Sequence, residues 1–88
     1  MVIGMNFEES AYMNEVRRKA LRDVINGIQR LSDELEALCG EEEEYRDSIP
    51  ENMQGSERYE KAVEAVDMIS EAVDNLRCAV DNIESAIE

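Results

Sequence analysis

The acidic spacing in this chain that comes nearest to a catalytic pattern is an ExxE, Glu41 and Glu44, followed by an ExxD, Glu64 and Asp67. Carboxylates three residues apart lie on one side of a helix. Two such pairs facing each other would offer the oxygen donors that Mg²⁺ and a bound triphosphate require. The pattern has a second origin, because Asp and Glu account for 22 of the 88 residues and produce such spacings by composition alone. In the helical register derived below, the four fall at g, c, f and b, mostly outward, as in a solvated acidic face. The chain has no His, which removes an imidazole base, a partner for a Cys nucleophile and the Glu-x-x-His motif of di-iron bundles. Cys39 and Cys78 lack CxxC spacing and are too few for a disulfide framework or a zinc site. The run Glu41 to Glu44 lacks the spacing of a calcium loop. No catalytic residue, metal site or cofactor is expected.

Charge is the more informative chemistry. Nine basic residues against 22 acidic ones leave a net charge of −13, which repels phosphate backbones and anionic membrane surfaces, so neither direct nucleic-acid nor membrane binding is expected. Glu60, Glu64, Asp67, Glu71, Asp74, Asp81 and Glu88 fall on the outer positions of a second helix, spaced about 5 Å apart where the row is unbroken. Such a rod can imitate a nucleic-acid backbone in the basic groove of a nuclease or DNA-binding protein; it can equally be the polar face that solubility demands. Arg17, Arg18, Lys19 and Arg22 form the one basic cluster. They are expected to pair with Asp81, Glu84 and Glu88 near the end of the second helix, complementing its dipole.

The elements that position these groups follow from periodicity. From Glu64, the heptads EAVDMIS, EAVDNLR and CAVDNIE repeat before a final SAIE. With Tyr59 at position a, the a line is Tyr59, Val66, Val73, Val80 and Ile87, and the d line is Ala62, Ile69, Leu76 and Ile83. Small residues Ala65, Ala72, Ala79 and Ala86 occupy g. The first helix keeps the same period, with Leu21, Ile28 and Leu35 at a, Val24, Leu31 and Leu38 at d, and Ile25 widening the face at e. An apolar arc of about three positions in seven is wider than one partner helix covers.

Ser48 to Ser56 breaks the pattern. Pro50 forbids a continuous helix, Ser48 with Glu51 reads as a capping box for one short turn, and Gly55-Ser56 ends that turn and caps the second helix. The first helix is placed at about residues 10 to 47, running through Gly40, and the second at about 57 to 87. Matched lengths across a short connection predict antiparallel neighbours. A reversal centred near Asn52 sets Leu35 against Met68 and Ile69, Ile28 against Leu76, and Val24 against Val80. It also places Cys39 near Glu64 and Cys78 near Ile25, too far apart for an intrachain disulfide. Gly27 in mid-helix reads either as close approach of another backbone or as simple tolerance of a substitution costing roughly 1 kcal/mol against Ala. Residues 1 to 13 contain Val2, Ile3, Met5, Phe7 and Tyr12 and read either as an apolar arm or, with Asn6 and Glu9 as a capping box, as an early helix turn.

Eighty-eight residues with no Trp, one Pro and four Gly describe one small all-α domain with a modest core. No apolar run approaches the roughly 20 residues of a membrane span, and no basic stretch precedes an apolar one at the N-terminus, so a cytoplasmic location is expected.

Two resemblances add to this reading. The ExxE and ExxD pairs resemble the Mg²⁺-binding carboxylates of the all-α nucleotide pyrophosphatases, which would imply nucleotide hydrolysis. The runs RRKALRDVINGIQRLSDELEAL and EEEEYRDSIPENMQGSERYEKA resemble small acidic helical-hairpin proteins carried by phages and integrated elements of Gram-positive bacteria. Residues 17 to 88 carry that likeness, the IPEN turn being its most distinctive part. It implies a hairpin fold and a mobile-element setting, with no functional residues to carry over. The combined expectation is a non-enzymatic antiparallel hairpin that self-associates through its wide face, as a homodimer forming a four-helix bundle, and acts by binding a protein partner. An acidic nucleic-acid mimic that inhibits a nuclease or DNA-binding protein, of the anti-restriction or anti-CRISPR type, is the alternative.

Overall fold

A computed structural model describes residues 14–88. Two long helices, α1 (Glu15–Ser48) and α2 (Glu57–Ile87), run antiparallel on either side of a 3-10 turn at Glu51–Met53. Asn14 starts α1: its backbone is extended and its Oδ1 accepts a hydrogen bond of 2.8 Å from the Arg17 amide, satisfying one of the otherwise unpaired first-turn donors. The helix thus begins later than the periodicity alone places it, and the Asn6/Glu9 box and the apolar arm lie outside the described residues.

α1 passes through Gly27 and Gly40 without interruption and stops where Pro50 forces Ile49 into extended backbone. Ser48 does not cap the turn. It is the last residue of α1, and its hydroxyl donates back to the Tyr45 carbonyl at 2.6 Å, so the expected Ser48/Glu51 box is replaced by Pro50 leading straight into the 3-10 turn. Met53 donates to the Pro50 carbonyl at 2.8 Å and Gln54 to that of Glu51 at 3.2 Å. Ser56 then caps α2, accepting from the Tyr59 amide at 3.3 Å, as its position before the heptads predicts. Buried Ile49 plugs the closed end of the hairpin.

The core is a single seam. On α2 it is the a line, Val66, Val73, Val80 and Ile87, with Ala62. On α1 the buried residues are Ile25, Ser32 and Cys39, seven residues apart and all at e, flanked by half-buried Leu21, Ile28 and Leu35. Ile25, Val80 and Ile87 form one cluster, joined by Leu21, Ile28 and Ile83. Two expected pairings are corrected. Val80 is packed with Ile25 instead of Val24, and Cys39 meets Val66 and Ser70 instead of Glu64. The cause is a rotation of α1. Its apolar arc spans d, a and e, α2 covers only part of that arc, and the a–e side is the part covered. Gly27 lies in open space, where an added Cβ would meet nothing within 4 Å, so no backbone approaches it within the hairpin.

Candidate functional site: two unlike edges of the seam

The rotation of α1 gives the seam two chemically different edges. One is polar. The Arg77 guanidinium donates to Glu36 Oε2 at 2.7 Å across the helices and also lies 3.6 Å from Asp74. Nearby, the buried Cys39 sulfur sits 3.4 Å from Ser70 Oγ and donates weakly, at 3.8 Å, to the Val66 carbonyl. Between the helices on this edge runs a groove of about 530 Å³ whose lining includes Gln29, Ser32, Glu36, Arg77 and Glu84. Ser32 is buried, and its hydroxyl has no protein hydrogen-bond partner among the described residues. Cys39 and Cys78 are both free thiols, the second exposed.

The opposite edge is apolar and open. Val24, Leu31, Leu38 and Tyr45, again seven residues apart, remain 48%, 55%, 53% and 45% exposed, against 6% for Ile25 one residue from Val24. Ser70 and Arg77 point α2's e positions to the polar edge, so the g positions, half-buried Ala65, Ala72 and Ala79, lie on the apolar one, with exposed Met68 beyond them. Of the expected core face, Val66, Val73 and Val80 are buried and Leu21, Ile28, Leu35, Ile69, Leu76 and Ile83 are half-buried, while Val24, Leu31 and Leu38 are left outside the hairpin.

Glu60, Glu64, Asp67, Glu71, Asp74, Asp81 and Glu88 are all exposed along α2. Charge is divided lengthwise. The half nearer the turn, residues 32–74, holds fifteen acids and three bases, net −12. The open half, residues 15–31 with 75–88, holds five acids and six bases, net +1. The expected pairing of the basic cluster with the end of α2 is not formed: Lys19 pairs with Asp23 at 3.4 Å, and among the described residues no ion pair joins the cluster to Asp81, Glu84 or Glu88. Exposed long side chains gain little by holding one such geometry. Arg46, hydrogen-bonded through Nε to Asp47 at 3.0 Å and facing Glu43 and Tyr59, is held protonated even more firmly than usual.

Glu41, Glu44, Glu64 and Asp67 are exposed. Among the described residues, no group of three or more His, Cys, Asp or Glu side chains is placed to hold a metal ion. Nor is any helix among them long and apolar enough to cross a membrane. Sequence reasoning missed Ser32 and Cys39 as seam residues. Their signal was the seven-residue line through Ile25, masked because Ser32 interrupts it and Cys39 draws attention to disulfide and metal chemistry instead of burial. Comparison of the chain with protein-family models, curated proteins and solved structures finds no match.

Proposed function

We propose that this chain is a non-enzymatic, self-associating helical protein that acts by binding a protein partner, in the setting of a phage or integrated element and in the cytoplasm. The observation that supports this reading is the open apolar edge. Four large side chains, each about half exposed and aligned along one helix, form a continuous stripe of the kind that marks an interaction surface, whereas scattered exposed apolar residues need no explanation. The acidic turn half gives the partner's chemistry: a basic surface is attracted to it and steered by it. A pull-down from host lysate with the full chain tests this. A basic protein retained at low salt and released at high salt supports the reading, and retention of nothing above a charge-matched control argues against it.

The unbroken exposure of the acidic row on α2 favours one second reading, a nucleic-acid mimic. Such a mimic competes with DNA or RNA for its target. Changing Glu64, Asp67, Glu71 and Asp74 to Gln or Asn would then abolish competition, and a bound partner that DNA or RNA never displaces would argue against mimicry.

A further inference from the structure

Val24, Leu31, Leu38 and Tyr45 span about 32 Å of α1 at 1.5 Å per residue, and about half of each stays uncovered among the described residues. Two observations point to the occupant. The first is charge. A second hairpin laid alongside in the same direction would set a net −12 half against another net −12 half, whereas one laid head to tail sets each −12 half beside a half of net +1 that carries Arg17, Arg18, Lys19 and Arg22. The second is the stripe itself. Reversed on itself, it places Leu31 of one copy beside Leu38 of the other, and Val24 beside Tyr45. Each contact thus occurs twice, i with j and j with i, as a two-fold interface requires. Gly27, open on this side, leaves room for the approach.

We propose that a second copy of this chain docks head to tail on the Val24–Tyr45 edge, α1 against α1, leaving both polar edges and both acidic rows of α2 facing outward. The inference rests on the self-association reading above and adds to it the face, the helix and the direction. It also explains why α1 carries a wider apolar arc than α2 covers.

Sedimentation equilibrium of the full chain, its Leu31→Glu/Leu38→Glu variant and an Asn26→Glu/Gln29→Glu variant of equal charge tests the face. The expected result is a dimer for the wild type and the second variant, and a dimer weakened at least roughly a hundredfold for the first, whose interface would bury unpaired carboxylates. A spin label on Asn52→Cys in a Cys78→Ser background, Cys39 being buried, tests the direction. Asn52 lies some 17 residues beyond the crossing point, so head-to-tail copies hold the labels about 50 Å apart and side-by-side copies under about 25 Å. A wild type that stays monomeric overturns the self-association reading itself. A dimer indifferent to Leu31→Glu/Leu38→Glu overturns the face while leaving self-association standing, and a short label distance overturns the direction. Should the double variant lose its helical circular dichroism, Leu31→Ala/Leu38→Ala, which keeps helix-favouring side chains, reads the face in its place: a weakened dimer supports the face and an unweakened one overturns it.

Discussion

Replacing Ser32 by Ala should make this protein more stable. Ser32 occupies the middle of the α1 seam line between Ile25 and Cys39, is 7% exposed, and has a hydroxyl with no protein hydrogen-bond partner among the described residues. Leaving a buried hydroxyl unpaired costs about 1–3 kcal/mol, and removing it recovers part of that, less a small loss of contact where one oxygen is deleted. Ala also exceeds Ser in helix propensity by up to about 0.5 kcal/mol. A net gain of about 1–1.5 kcal/mol follows, which in a domain of this size raises Tm by roughly 5–10 °C. Urea and thermal unfolding followed by circular dichroism, at one fixed protein concentration because assembly and stability are linked, would measure it. A fall in stability of about 1 kcal/mol would show that the hydroxyl is engaged in the folded protein and would refute the reasoning.

The two capping residues should each contribute measurably: Asn14→Ala and Ser56→Ala are expected to lower unfolding free energy by about 1 kcal/mol apiece in the same urea titration. Val73→Ala, which deletes two buried methyl groups, should cost about 2 kcal/mol, whereas the exposed Glu36–Arg77 pair should yield less than about 0.5 kcal/mol in a double-mutant cycle. The two thiols should separate by reactivity, Cys78 titrating at once with a thiol reagent under native conditions and Cys39 only as urea unfolds the hairpin; equal rates would place Cys39 outside the seam.

The sequence announces two helices and the reversal between them plainly, because their causes are local. Heptads on both sides of Pro50 define the helices, Pro50 forbids continuation, and Ser56 sits one residue before the second run. The rotation of α1 was not legible in the same way. Ile25, Val24 and Leu21 are all apolar, so periodicity bounds the arc without saying which part of it α2 covers; that depends on how two specific surfaces interlock. The start of α1 was obscured for a related reason. Apolar periodicity marks no boundary at Asn14, which shows itself as a cap only through its extended backbone and its hydrogen bond from Arg17. Of the candidate site, the acidic row could be read directly from residue spacing. The apolar edge could be foreseen only as an excess of greasy positions, and its identity as the Val24, Leu31, Leu38, Tyr45 line needed three-dimensional packing.

Methyl NOE spectroscopy on the folded chain, with intrachain and interchain contacts separated by isotope filtering, tests the off-centre seam most directly. Strong intrachain contacts are expected from Ile25 to Val80 and Ile87, and weaker ones from half-exposed Val24. Intrachain contacts joining Val24, Leu31 and Leu38 to α2, with Ile25 turned to solvent, would contradict that seam.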